Sequence, residues 1–242
     1  MSDNKKFGSD EAEFAKPLFV PIKRRSFFMY AGATAGATAL LLAGCDDDDD
    51  NGTTTGTVSL GSGDVGVLNY AYALEQLEAA FYARVVSDSS FNTTFSNADE
   101  RTALQAIAKH EAIHRDFFKA AITAAASSSI IPGLNPNFDS INFSNRNSVL
   151  TTAKTFEDLG VAAYNGAGQL IQSAAYLTLA GKIVSVEARH AAYIRDLLTP
   201  GSFADNTTVD TNGLDKAMTV SQVLSAAQPF IKETINGDNV GK

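Results

Sequence analysis

Two of the three histidines in this sequence follow a glutamate at the same distance: Glu111-Ala-Ile-His114 and Glu187-Ala-Arg-His190. On a helix, side chains at i and i+3 leave the same face, so each pair can grip one ion or two adjacent ions. Both pairs sit in apolar stripes, the first flanked by Leu104, Ile107 and Phe118, the second by Ile183, Ile194 and Leu197. A charge buried there is strongly unfavourable unless it is paired or coordinated. The expected chemistry is therefore metal coordination through carboxylate oxygen and imidazole nitrogen. That donor set suits iron or manganese, and no thiolate is present near it to select softer ions.

A complementary pair of glutamates lies elsewhere in the chain. The stretch Leu74-Glu75-Gln-Leu77-Glu-Ala-Ala80-Phe-Tyr82 aligns with Phe156-Glu157-Asp-Leu159-Gly-Val-Ala162-Ala-Tyr164, matching Glu, Leu, Ala and Tyr. With the two Glu-x-x-His segments this makes an approximate internal repeat. Each half supplies one Glu helix and one Glu-x-x-His helix. The alignment selects Glu75, on the stripe with Leu68, Tyr72, Ala79 and Tyr82, over Glu78. Glu78 is expected near the stripe's edge, as a neighbouring or surface group. Tyr82 and Tyr164, seven residues after their glutamates, are candidates to support the ligands, with plain core packing as the alternative.

These residues need helices to position them. Residues 67–86 lack Gly and Pro and form the first predicted helix. After a polar loop, Ser87 to Asn97, Ser96 or Asn97 caps a second helix, with Asp99 and Glu100 in its first turn and an end near Ala126. A long Ser-, Asn- and Pro-containing connection, Ser127 to Asn147, leads to a third helix over about Ser148–Asn165. Gly166-Ala-Gly168 is read as a breaker before a fourth helix, about Leu170–Leu198, which Pro200-Gly201 stops. A short helix over about Ser221–Ile231 is expected to pack on one end.

A Glu from each of two helices plus Glu-x-x-His from each of two others is the ligand pattern of ferritin-like di-iron and di-manganese carboxylate proteins. The chain resembles that superfamily over about residues 65–232. The stretches LNYAYALEQLEAAFYAR, FEDLGVAAYNGA and VEARHAAYIRDLL resemble its bacterial branch related to desiccation-associated proteins. The resemblance implies an all-α fold, a ferritin-like four-helix bundle with a long helix 2–3 crossover and a short C-terminal helix. It implies two iron or manganese ions held by Glu75, Glu111, His114, Glu157, Glu187 and His190. The 21 residues of the connection reach up to roughly 70 Å extended, whereas the second helix spans about 40 Å. The implied activity is redox chemistry on oxygen, peroxide or iron(II), of ferroxidase, peroxidase or catalase type. The alternative is a membrane-tethered stress- or desiccation-protective or binding module whose metal is structural or lost. No further catalytic residue is assigned, and no electron-transfer domain is recognisable in the chain.

Two other readings compete for the same residues. His110-Glu111-Ala-Ile-His114 matches the zinc-protease pattern HExxH, but the repeat partner has Val186 where His110 stands, and no other histidine completes a zinc site. His110, about 100° around the helix from Glu111, is expected at the surface or behind a ligand. Alternatively Arg84, Arg115, Arg189 and Arg195 neutralise the buried carboxylates without any metal.

Composition narrows the class further. The 242 residues carry 19 basic against 27 acidic side chains, a net charge of −8, which argues against nucleic acid as a partner. The single cysteine excludes a disulfide framework and thiolate-rich metal sites. Lys23-Arg24-Arg25-Ser26-Phe27-Phe28, an apolar run from Met29 to Gly44, and Leu42-Ala43-Gly44-Cys45 resemble a twin-arginine export signal joined to a lipoprotein cleavage motif, although Lys23 departs from the usual Ser or Thr. The expected organisation is a signal segment over 1–44, a lipidated tether over 45–64 and a ferritin-like domain over 65–242. Acylation of Cys45 would anchor the exported protein at the outer face of a bacterial cytoplasmic membrane, on its periplasmic side. Asp46–Asp50 reads as a solvated spacer. Asn92, Asn142 and Asn206, each opening an N-x-Ser/Thr sequon, are discounted as glycosylation sites in a bacterial setting. An oligomer is compatible with all of this.

Overall fold

Four long helices carry the fold of the computed structural model, which describes residues 56–242: α1 (Gly63–Ser87), α2 (Ala98–Ala126), α3 (Arg146–Gly168) and α4 (Ala174–Leu198). Arg24, Arg25, Cys45 and the Asp46–Asp50 run lie outside the described residues. Three helix starts follow from local chemistry. The side chains of Asn97, Asn145 and Ser173 accept from the backbone N–H groups of Asp99, Ser148 and Tyr176, satisfying donors that the first turn leaves orphaned. The short C-terminal helix, α5 (Val220–Ala227), opens with a reciprocal capping pair between Thr219 and Gln222. The expected all-α, ferritin-like bundle is therefore present. The polar loop before α2 holds an additional helical turn, Phe91–Thr94.

The chain also makes two three-residue strands, β1 (Thr57–Ser59) and β2 (Thr234–Asn236), paired in parallel with Thr57 opposite Thr234. Residues 57–64, expected as the end of the tether, are thus part of the fold. A strand this short carries too little alternation to be read from sequence.

Helices α1 and α2 pack as one hairpin and α3 and α4 as another. The direction of the second hairpin follows from two contacts: Tyr82 of α1 meets Glu157 of α3, while Tyr164 of α3 meets Glu75 of α1. Rising number on one helix meets falling number on the other, so α1 and α3 are antiparallel and α2 and α3 run the same way. The connection between α2 and α3 must then return along the bundle, as expected, and it does so on the outside of α1. Asn69 donates to Ser129 O and accepts from Ile131 N; Gln76 accepts from Leu134 N; Phe81 packs against Phe138 and Phe143; Arg84 stands 4.6 Å over the Phe143 ring. Covered on this side as well as by its bundle neighbours, α1 is buried without a break from Gly66 to Ala79.

The sequence Gly166-Ala-Gly168 does not break the chain where expected; α3 runs through it. Gly166 serves a close approach instead. A Cβ there would lie 1.8 Å from the carbonyl oxygen of Met218, whose N–H donates to Ala162 O at 3.0 Å. No helix among the described residues is long and apolar enough to cross a membrane.

Candidate metal centre

Each long helix sends ligand-type side chains to the middle of the bundle: Glu75 from α1, Glu111 and His114 from α2, Glu157 from α3, Glu187 and His190 from α4. All four glutamates are 0% exposed and His190 is 5% exposed. Their ligand atoms form two overlapping groups that can each hold a metal ion, Glu75–Glu111–His114–Glu187 and Glu111–Glu157–Glu187–His190, with all atoms in a group within 4.8 Å of one another. Glu111 and Glu187 belong to both groups. Glu111 turns Oε2 toward His114 Nδ1 (3.4 Å) and Oε1 toward His190 Nδ1 (2.8 Å). Glu187 does the same, with Oε1 2.7 Å from His114 Nδ1 and Oε2 3.7 Å from His190 Nδ1. Each of these two carboxylates thus offers one oxygen to each group. Glu75 and Glu157, whose bridging or terminal character the sequence leaves open, each face a single histidine, at 3.6 and 3.5 Å.

The donor set fits a pair of cations. Eight buried atoms of these six residues have no hydrogen-bond partner: Glu75 Oε2, Glu157 Oε2, both oxygens of Glu111 and Glu187, and Nδ1 of His114 and His190. The imidazole nitrogens approach the carboxylates closely, yet without the N–H alignment of a hydrogen bond. Buried polar atoms are nearly always satisfied, so eight converging orphans identify a place for a ligand rather than for packing. No lysine or arginine among the described residues pairs with any of them. Arg195 goes to Asp158 and Asp205, Arg84 to Asp88, and Arg115 to Asp116. Neutralisation by arginine therefore does not account for these carboxylates.

Charge balance inside the centre falls on the histidines when only protein groups are considered. Burial pushes the Glu157 carboxyl up to about 8 and that of Glu75 well above its ordinary range. Burial alone would lower both imidazoles, but Glu111, Glu187 and Glu75 around His114, and Glu111, Glu157 and Glu187 around His190, raise both to about 12. Burial likewise opposes ionisation of Glu111, yet the two histidines pull it down to about 2. Such a site has a strong preference for positive charge, which a metal ion would supply by displacing protons.

Three neighbours frame the ligands. Tyr82 Oη donates to Glu157 Oε1 and Tyr164 Oη to Glu75 Oε1, so each tyrosine holds the glutamate of the other repeat half. Burial raises both phenols, which keeps them donors. His110, expected at the surface or behind a ligand, is exposed and turns Nδ1 to within 2.9 Å of His190 Nε2. It stands outside both groups, so the paired-histidine zinc arrangement of HExxH is not formed. Glu78, expected near the stripe's edge as a neighbouring or surface group, is 3% exposed, so the surface reading does not hold. The signal available for it in the sequence was its i+3 spacing from Glu75, which the repeat alignment set aside because the partner position is Gly160.

A family model described as a ferritin-like domain matches residues 63–200, a span that begins with α1 and takes in all four long helices and all six ligand-type residues. No curated protein matches the chain.

Proposed function

We propose, from the premise that the chain belongs to the ferritin-like domain family, that its bundle binds a carboxylate-bridged pair of iron or manganese ions and acts on oxygen, peroxide or iron(II). The observation that carries this reading is the set of eight buried, unpartnered oxygen and nitrogen atoms converging from four helices. In it Glu75 and His114 would hold one ion and Glu157 and His190 the other, with Glu111 and Glu187 available to both. Bound there, such a pair supplies one-electron redox steps at two adjacent centres. The chain's own residues do the rest. Tyr82 and Tyr164 fix the Glu157 and Glu75 carboxylates by donating to the oxygen that does not face the histidines, and Leu104, Ile107 and Phe118 on α2 and Ile194 on α4, the helices of the two Glu-x-x-His segments, are buried.

Elemental analysis of protein purified from its native host without chelators tests the reading; up to two iron or manganese ions per chain are expected. Hydrogen peroxide consumption or iron(II) oxidation by that protein would establish the redox part. Metal with neither activity favours a structural site, and no metal at all favours the protective-module alternative. The proposal extends to location. The twin arginines Arg24-Arg25 and the Leu-Ala-Gly-Cys45 motif support export and acylation at Cys45 on the outer side of a bacterial membrane. A Cys45→Ser chain is expected to move from the membrane to the soluble fraction, and unmodified Cys45 in membrane-bound protein would count against the anchor.

A further inference from the structure

The two halves of the repeat are covered in the same way but filled differently. The strap that follows α2 lies on the outside of α1. The segment that follows α4, residues 199–219, lies on the outside of α3, where Met218 N donates to Ala162 O and Asn165 Nδ2 to Lys216 O. Under the first cover, the rings of Phe138 and Phe143 close on Phe81. Under the second there is a cleft of about 650 Å³, within the range of roughly 300–1,000 Å³ that small-molecule sites occupy. The repeat gives the reason. Ala191 and Ala192, which line the cleft, stand where the first half has Arg115 and Asp116, by the offset that relates Glu187 to Glu111. That arginine and aspartate pair at 2.8 Å, so bulky groups fill the place that alanine methyls leave open. Phe203, the one phenylalanine of the second cover, lines the cleft yet is 58% exposed.

The hollow is held open by a fixed cover. Arg195, 3% exposed, meets Asp158 through Nε and Nη2, and its other bonds go to Ser202 O, Asp205 and Thr207, which fastens the cover to α3 and α4. The floor is apolar, made by Leu159, Ala162, Ala188, Ala191 and Ala192. The charged lining is cationic on balance: Lys154, Arg195 and Lys216 against Asp158 and Asp215, in a chain of net charge −8. Lys154 stands where the first half has Tyr72. Both Asp158 oxygens are taken, by Arg195 and by Lys154 Nζ at 3.0 Å. Asp215 is exposed. Lys154 and Lys216 each give one bond, to Asp158 and to Asn206 O, whereas an ammonium group has three donors. Unspent N–H donors beside an apolar floor complement a carboxylate carried on an apolar chain.

We propose that this cleft binds a fatty acid, its alkyl chain on the alanine floor and its carboxylate at Lys154 and Lys216. None of the six ligand-type residues lines it, so the site is separate from the metal centre and does not rest on the di-metal reading. Calorimetric titration of the full chain with decanoate, below its micellar concentration, tests this against decan-1-ol and decyltrimethylammonium, which carry the same chain. Decanoate should saturate a single site. The alcohol and the ammonium should bind at least about tenfold more weakly, because they lack the charge-assisted bonds. Ala192→Leu fills the floor and should weaken decanoate roughly tenfold or more, with circular dichroism confirming the fold. Ala188→Leu fills the same floor and takes its place if that chain does not fold. The double variant Lys154→Met, Lys216→Met should bind decanoate and decan-1-ol alike. Absence of saturable decanoate binding to the wild-type chain would overturn the proposal. So would equal affinity for the acid, the alcohol and the ammonium, unchanged affinity in the folded floor variant, or a preference for the acid that survives the double variant.

Discussion

A histidine that offers one nitrogen to the centre has a second nitrogen to anchor, and among the described residues only His190 has a side chain to anchor it. With Nδ1 of His190 given to a metal, Nε2 would carry the proton and His110 Nδ1, 2.9 Å away, would accept it; the rings lie 9° from parallel. Groups that orient a ligand histidine are worth roughly 10–100-fold in metal affinity. His110→Ala should therefore weaken one of two zinc(II) or manganese(II) ions by about that factor and leave the His114 position unaffected. Calorimetric titration resolves the two steps, and equal weakening of both would contradict the assignment. Proton linkage gives a second expectation for chelated protein. Glu157, raised from 4.5 to about 8, binds more protons in the folded than in the unfolded chain between those values. The histidines, raised from 6.5 to about 12, do so from pH 6.5 upward. Stability is therefore lost as pH rises through both windows. The chelated protein should melt at lower temperature at pH 8.5 than at pH 6.5, values about two pH units apart chosen to span them. Restoring metal should shrink or reverse that difference, because metal replaces the protons. A melting temperature that climbs with pH after chelation would be inconsistent with these shifts.

At the scale of elements, the α2–α3 crossover is held by side chains of α1 that satisfy its backbone, since a strap without regular structure has no ladder to pair with. Asn69, 0% exposed, donates to Leu60 O and Ser129 O and accepts from Ile131 N. Asn69→Ala leaves buried groups unpaired and should destabilise the protein by about 3 kcal/mol in urea unfolding. Little change would mean that the strap is held by its aromatic contacts with Phe81 alone. Gly166 gives the opposite sign from helix propensity. Alanine for glycine inside a helix ordinarily stabilises by roughly 0.5–1 kcal/mol. At Gly166 the added methyl meets the Met218 carbonyl, so Gly166→Ala should destabilise, whereas Gly181→Ala, where a Cβ meets nothing within 4 Å, should not. Comparing the two melting temperatures checks this.

Across the whole molecule, the two ends of the described chain close the same end of the bundle. β1 pairs with β2, Leu60 N donates to Asn236 O, and Gly63 N donates to Lys242 O at the first turn of α1. Leu60, at 0% exposure, and Val240, at 5%, are covered by this closure. Removing residues 234–242 should cost roughly 3 kcal/mol of stability from the apolar surface exposed. Uptake of two metal ions should survive, because every ligand lies between Glu75 and His190. Loss of metal at full retention of fold would show that the closure positions the centre as well as stabilising it.

Much of this was legible in the residues themselves. Helix spacing of three and four determines which side chains share a face, so the six ligand-type residues, the repeat and the four helices follow from local order alone. What local order does not carry is the axial height at which one helix meets another. Tyr82 stands seven residues, about 10 Å, from Glu75 on its own helix, out of reach of its carboxylate. Only the antiparallel α1–α3 pairing brings it level with Glu157. The same pairing sets Glu78 over Gly160, and the α2–α4 packing makes Glu111 and Glu187 the shared pair and brings His110 to His190. Gly166 reads as a breaker from its type, yet the backbone of Met218 decides its use. Residue types and their spacing determined which groups are available to a metal; helix direction and register, set by packing between segments far apart in the chain, decided which of them belong to both groups, which belong to one and which stay outside.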